Sequence, residues 1–135
     1  KVVIEVRVPA QVDDAAGKTE ASTVLEKEDT IAIYGSNEFA AKAIINANGG
    51  FKESKLGADK ILAVGFDSGA LQQDAIRKGI FVGSVTQDPV QIGYQAVKLA
   101  IASAKGETVK DVDTGSKWYD AKNIDSEEIK ALLYE

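Results

Sequence analysis

The chain has 135 residues, of which 44% are hydrophobic and 27% charged, and a net charge of −5, which is typical of a single globular domain. No stretch approaches the roughly 18 to 20 apolar residues that span a bilayer, and without a basic stripe the acidic balance argues against nucleic acid as a partner. The sequence contains no Cys and no His, so it lacks thiolate chemistry, the commonest general base and the commonest metal ligand.

Strand-like and helix-like segments alternate along the sequence. Runs rich in β-branched and apolar residues predict four strands, over 2–8, 30–35, 60–66 and 80–86. Capping and stop signals predict four helices between and after them, over 13–28, 37–48, 69–79 and 89–106. Residues 109–120 are expected to form a short edge strand and a loop, and a capping box at 125–128 predicts a short final helix.

This alternation predicts an α/β fold, a parallel sheet with helices on both faces. The helix over 89–106 has the clearest apolar face, formed by Ile92, Ala96, Leu99 and Ala100. No repeat or linker interrupts the chain, so one domain is expected.

Polar residues follow each predicted strand. After the first strand Val12 precedes the two acids Asp13 and Asp14. After the second come Ser36 and Asn37, after the third Asp67, and after the fourth Gln87 and Asp88. Ligands of open α/β sheets bind beyond the carboxyl ends of the strands. Carboxylates, amides and hydroxyls without Lys or Arg suit a neutral ligand dense in hydroxyls. No phosphate-binding or dinucleotide fingerprint is present, and no cofactor or metal is expected.

The same residue types also cap helices. Asp88, followed by Pro89 and Gln91, has the pattern of a cap, and Asp13 also favours one. Asn37 and Asp67 fit a cap and a ligand group equally well, with Asp67 capping the helix that starts near Ser68. Gln87 is a poor cap and favours a ligand role.

Three strings carry a resemblance to a known family. They are "TIAIYGSNEFAAKAI", "ILAVGFDSGALQQDAIRKGIFVGSVTQDPVQIGYQAVKLA" and "DTGSKWYDAKNID". Together they resemble the carboxyl-terminal lobe of type I periplasmic sugar-binding proteins, the ribose- and galactose-type solute receptors of ABC importers. The resemblance implies a non-catalytic, flavodoxin-like lobe in which Asn37, Asp67 and Gln87 bind sugar hydroxyls. Val12 stands where ribose-type members have an aromatic residue, beside the acid Asp13, and both join the candidate site.

The resemblance covers less than one lobe. The first strand and helix of that lobe have no counterpart here, and Lys1, with no Met anywhere, is expected to lie inside a longer precursor. Residues 1–135 are thus expected to be one partial domain, in which 107–135 form a hinge-return strand and a terminal helix. The implied partners are a sugar, the amino-terminal lobe and the transporter permease. The implied location is periplasmic or extracellular, with a lipid anchor possible on the precursor. Unpaired strand edges would favour self-association.

Two other functions are compatible with the predicted fold. A phosphoacceptor receiver domain would use Asp13, Asp14, Asp67, Thr86 and Lys117. An effector domain of a sugar-responsive repressor would share the fold, although no helix-turn-helix is present.

Overall fold

The computed structural model describes residues 1–52 and 54–134, a part of the chain that holds five helices and four strands. The helices are α1 (Asp14–Leu25), α2 (Glu38–Ala47), α3 (Ala70–Arg77), α4 (Pro89–Ala104) and α5 (Glu127–Lys130). The strands are β1 (Ala32–Tyr34), β2 (Leu62–Phe66), β3 (Gly83–Gln87) and β4 (Ser116–Tyr119). Glu135, the end of the predicted terminal segment, lies outside the described residues.

The four strands form one sheet in the order β1-β2-β3-β4. The first three are parallel, with Ile33 opposite Ala63 and Val64 opposite Gly83. Strand β4 returns antiparallel along β3, so the predicted edge strand within 109–120 is confirmed and the sheet is mixed rather than wholly parallel. The predicted α/β fold is confirmed. Because β1, β2 and β3 are parallel, the turns that follow them lie along one edge of the sheet.

The core lies between this sheet and the helices that pack on it. Its largest fully buried apolar side chains are Ile45, Ile76, Phe81, Tyr119 and Ile124. Helices α1 and α2 approach closely at Gly17, where an added Cβ would lie only 2.9 Å from the Phe39 ring. This packing fixes the start of α2, which contributes to the candidate site below.

The strand predicted over 2–8 is wrong. These residues form no regular structure, and all of them are exposed, with Val3 at 83% and Ile4 at 86%. β-Branched side chains favour extended backbone, but a strand also needs a neighbour for its backbone hydrogen bonds. In the described part of the chain, β1 is the edge of the sheet, and no strand beside it accepts the segment.

Helix α4 is formed as predicted, but its predicted apolar face is not packed. Asp88 caps the helix by accepting a hydrogen bond from the Gln91 backbone N–H at 2.9 Å. No residue of α4 is buried by the rest of the described chain, and Ile92, for example, is 38% exposed. The caps that start a helix are local, whereas burial of its face requires a second layer. None of the helices within 1–52 and 54–134 is both long enough and apolar enough to cross a membrane.

Candidate functional site

Asp67 follows β2 directly and has an unusual backbone conformation. Its φ is 77°, the left-handed region, which no other non-glycine residue within 1–52 and 54–134 adopts. Its N–H donates to the Val85 carbonyl at 2.7 Å. Its carbonyl accepts from the Tyr119 hydroxyl at 2.8 Å, the Ser84 hydroxyl at 2.9 Å and the Gln72 amide at 3.3 Å. These four bonds hold the backbone in a conformation that most L-residues avoid.

The Asp67 carboxylate caps a different helix from the one predicted. Its Oδ2 accepts from the backbone N–H of Glu38, at the start of α2, at 2.9 Å. Helix α3 has Gly69 at its N-cap and no side-chain cap, so the predicted capping of the helix near Ser68 is wrong. Oδ1 of Asp67 accepts no hydrogen bond from any described residue. One carboxylate oxygen therefore stabilises the fold and the other is available to a ligand.

Asn37 lies at the same helix start. It is the N-cap of α2, and its Oδ1 accepts from the Ala40 backbone N–H at 2.9 Å. Its side-chain Nδ2 makes no hydrogen bond within the described residues. Of the two predicted roles, the side-chain oxygen of Asn37 has that of a helix cap, and its amide N–H groups remain free to donate.

Gln87 and Asp67 line one cavity. Gln87 is the last residue of β3, and its side chain is exposed. The cavity has a volume of about 290 Å³, and Pro89, Ile92 and Tyr134 complete its lining. The parallel register of β2 and β3 accounts for this pairing, because residues that follow neighbouring strands meet at one edge. A carboxylate, an amide and apolar walls therefore converge, and no basic side chain lines the cavity.

Val12 and Asp13 do not line this cavity. Asp13 is the N-cap of α1 and accepts from the Ala16 backbone N–H at 2.8 Å, so the predicted cap is confirmed. Val12 is 85% exposed and precedes that cap. The described residues thus bring Asn37, Asp67 and Gln87 to one edge, and the ligand roles of Val12 and Asp13 stay predictions.

Residues far away in sequence support Asp67 and were not predicted. Tyr119, expected only to lie near a hinge, is fully buried and donates to the Asp67 carbonyl. Burial raises the pKa of Tyr119 to about 12. Tyr134 lines the cavity, and its hydroxyl accepts from the Ser68 N–H at 3.4 Å. No local pattern signals these roles, because they depend on chain segments more than 50 residues after Asp67.

A second hollow, of about 590 Å³, runs along α4 and is lined by Gly93, Tyr94, Val97, Lys98 and Ile101. It is the larger of the two, but it is one face of an exposed helix and has a single charged group. It lacks the converging polar groups that orient a small ligand. The cavity at Asp67 is therefore the better candidate site.

The residues proposed for a receiver domain do not converge. The Thr86 hydroxyl is buried and donates to the Ser68 hydroxyl at 2.9 Å, and Lys117 pairs with Glu128. No group of three or more acidic residues within the described ranges is arranged to hold a metal ion. The geometry therefore gives the phosphoacceptor hypothesis no support.

Comparison with known proteins agrees with the resemblance seen in the sequence. Residues 1–108 match the periplasmic binding protein domain family. One solved structure, from Brachyspira murdochii, is described as an ABC transporter, LacI family transcriptional regulator. It is 43% identical to this chain, with a TM-score of 0.85, and the match covers 98% of this chain and 44% of that one. No curated protein sequence matches the chain.

Two further solved structures hold sugars. An ABC transporter solute binding protein from Agrobacterium vitis with bound D-fucose is 28% identical, with a TM-score of 0.78, and the match covers 93% of this chain and 42% of that one. A carbohydrate transporter solute binding protein from Agrobacterium radiobacter in complex with D-arabinose is 28% identical, with a TM-score of 0.73 and coverages of 90% and 40%. The chain thus spans less than half the length of these relatives. The predicted resemblance is confirmed and the receiver hypothesis is wrong: the chain belongs to the periplasmic binding protein domain family.

Proposed function

We propose that this chain forms part of the carboxyl-terminal lobe of a non-catalytic sugar receptor that serves an ABC importer. The observation that carries the proposal is the set of hydrogen bonds around the Asp67 backbone. Four hydrogen bonds hold its backbone at φ 77°, and one carboxylate oxygen remains uncommitted beside a cavity shared with Gln87. Strained backbone that its surroundings fix so fully is typical of functional sites.

The polar groups at this edge complement a sugar. Oδ1 of Asp67 can accept from one or two hydroxyls, the Gln87 amide can donate and accept, and the Asn37 amide N–H groups can donate. Each hydrogen bond contributes roughly 0.5 to 1.5 kcal/mol net, and one to a carboxylate roughly 1.5 to 3 kcal/mol. A phosphate or carboxylate ligand would instead be repelled by the Asp67 carboxylate, because no Lys or Arg among the described residues lines the cavity to compensate the two negative charges.

The remaining lining suits the apolar part of such a ligand. Pro89 and Ile92 contribute aliphatic surface to the lining. Small-molecule sites combine mostly apolar walls with a few polar groups that fix orientation. A monosaccharide has this character, because hydroxyls surround its rim and C–H groups form patches on its ring faces.

The chain by itself supplies only part of a site. In a two-lobed receptor the amino-terminal lobe covers the other face of the sugar, and residues 107–135 return the chain from the hinge. Three hydrogen bonds barely offset the cost of immobilising a ligand. We therefore expect the isolated chain to bind sugars only at millimolar concentrations, and the full-length protein far more tightly.

The location and partners follow from this role. A solute receptor works outside the cytoplasmic membrane, in the periplasm or held at the cell surface by a lipid anchor, and delivers its sugar to the permease. The three candidate residues act by binding alone, so no catalysis is assigned to the site.

The test is calorimetric titration of the full-length protein with D-fucose, D-arabinose and a sugar phosphate. We expect at least one neutral monosaccharide to bind and the phosphate not to bind. Gln87→Ala should weaken binding about 2- to 10-fold, the value of one neutral hydrogen bond. Gln91→Ala is the matched control, because Gln91 is exposed on α4 and does not line the cavity. Failure to bind any neutral monosaccharide would contradict the proposal.

A second candidate rests on the description of one relative. The structure from Brachyspira murdochii is described both as an ABC transporter and as a LacI family transcriptional regulator. An effector domain would use the same sugar cavity to control a DNA-binding domain elsewhere in the protein. Sugar-dependent DNA binding by the full-length protein would favour this candidate over the receptor.

A further inference from the structure

Tyr134 is a wall of the cavity that also holds Asp67 and Gln87. Two hydrogen bonds, one to its backbone and one to its side chain, position the residue. The backbone carbonyl accepts from the Gln73 side-chain amide at 2.9 Å, and the hydroxyl oxygen accepts from the Ser68 backbone N–H at 3.4 Å. Gln73 and Ser68 lie in or just before α3, so the ring has a defined position beside Asp67.

A buried polar network anchors the backbone that carries Tyr134. The Thr86 hydroxyl donates to the Ser68 hydroxyl at 2.9 Å, and the Ser68 hydroxyl donates to the Leu132 carbonyl at 3.2 Å. Both hydroxyls belong to fully buried residues. A buried chain of two hydroxyls that ends on the Leu132 carbonyl fixes that segment, because separating it would leave polar groups without partners. The segment 132–134 is therefore tied to the carboxyl ends of β2 and β3.

The Tyr134 hydroxyl keeps a proton that it can donate. Burial raises the pKa of Tyr134, and the nearby carboxylates of Asp67 and Glu38 add to that effect, so the phenol stays neutral at physiological pH. The hydroxyl accepts one hydrogen bond from the Ser68 N–H, and the Glu38 carboxylate lies close enough to interact with its proton. The hydroxyl can exchange this contact for a ligand oxygen, and Tyr134 shares the cavity with Asp67, whose Oδ1 accepts no hydrogen bond from the described residues.

We infer that Tyr134 is a sugar-contacting residue of this site. Its ring covers a C–H face of the bound monosaccharide, and its hydroxyl donates to a sugar oxygen next to the hydroxyl that Asp67 accepts. An adjacent donor and acceptor match two neighbouring sugar hydroxyls, one accepting and one donating. The inference rests on the proposed function and adds to it a preference for neutral sugars with an apolar ring face, since an anionic substituent here would face two carboxylates.

The test uses the full-length protein with the Tyr134→Phe and Tyr134→Leu substitutions. Phe keeps the ring and removes the donor, whereas Leu removes the ring and keeps apolar bulk. Tyr94 supplies the control, because it is 60% exposed on α4 and does not line the cavity. Calorimetry with D-fucose and D-arabinose measures affinity, and thermal melts without sugar measure stability.

We expect Tyr134→Phe to bind about 2- to 10-fold more weakly, as for the loss of one neutral hydrogen bond. Tyr134→Leu should bind at least about 10-fold more weakly, since the aromatic face is lost as well. Tyr94→Phe and Tyr94→Leu should bind as the wild type does. If Tyr134→Leu fails to fold, the Phe variant decides, because it preserves the packing.

The outcomes separate the inference from the proposed function. If the wild type binds a sugar and Gln87→Ala weakens that binding, while both Tyr134 variants bind normally, Tyr134 only packs against the fold and the inference is overturned. If the wild type binds no neutral sugar, the proposed function fails first and the inference fails with it.

Discussion

Replacement of Asp67 tests whether its two carboxylate oxygens have different roles, one in capping α2 and one in the proposed sugar binding. In Asp67→Asn the remaining side-chain oxygen can still accept from the Glu38 N–H, as Oδ2 does at 2.9 Å. Asn also tolerates the left-handed φ of 77° as well as Asp does. Because Asn caps helices about as well as Asp, we expect the free energy of unfolding to change by only a few tenths of a kcal/mol.

The effect on binding should be much larger. The oxygen that we propose accepts from the sugar becomes an amide N–H₂, and the charge is lost. A hydrogen bond to a charged acceptor contributes roughly 1.5 to 3 kcal/mol. In the full-length protein, Asp67→Asn should therefore weaken sugar binding by about 10- to 100-fold.

Asp67→Ala tests the structural role instead. It removes the second cap of α2, the hydrogen bond from the Glu38 N–H, while the Asn37 cap remains; this costs about 1 kcal/mol. It also places a residue without local hydrogen bonding in the left-handed region, which adds about 1 kcal/mol. The sum of about 2 kcal/mol corresponds to a fall in melting temperature of about 3 °C for a protein of about 300 residues, the length implied by a relative of which this chain covers 44%. Asp67→Gly keeps the backbone conformation without strain, so it should lose only the cap.

Calorimetry and thermal melts of these variants decide the question, with Asp88→Ala as the control. Asp88 caps α4 through the Gln91 N–H and does not line the cavity. Its loss should cost about 1 kcal/mol of stability and leave affinity unchanged. If Asp67→Asn binds sugar as the wild type does, the Asp67 carboxylate is a helix cap alone and the reasoning is refuted.

Four further predictions each rest on one feature of the fold. The pKa of Tyr119 is raised to about 12 in the folded protein, above the unfolded value of about 10. The neutral phenol therefore stabilises the fold fully below a pH of about 10, and this contribution is lost as the pH rises towards about 12. Urea unfolding across that range should show the wild type losing about 2 to 3 kcal/mol relative to Tyr119→Phe, and parallel curves would contradict the assignment. Gly83→Ala would place a Cβ 2.1 Å from the indole of the adjacent strand and should destabilise by about 1 to 3 kcal/mol in thermal melts. Gly93→Ala, which meets nothing within 4 Å on α4, should instead stabilise by about 0.5 to 1 kcal/mol. The exposed apolar residues in 2–8 and the unpaired edge of β1 should make the isolated chain self-associate at high micromolar concentration, and a monomer mass by light scattering would exclude this.

The sequence by itself determined the elements whose signals are local. Caps at Asp13, Asn37 and Asp88 mark the starts of α1, α2 and α4, because a cap bonds to N–H groups only two or three residues ahead. Continuous apolar runs mark β2 and part of β3, because a strand buried on both faces shows no alternation. The edge that holds Asp67 and Gln87 followed from the same order of strands and helices.

Only the tertiary structure decided which partners these elements have. Residues 2–8 have the composition of a strand but no neighbouring strand in the described chain. Likewise, no other layer within the described residues covers the apolar face of α4. Asp67 caps a helix that begins 29 residues earlier, and its backbone is held by Tyr119, 52 residues later. Such contacts form because the fold brings distant segments together, so the pattern around either residue carries no trace of them. For the same reason Tyr134 joins the cavity without any signal in the sequence beside it.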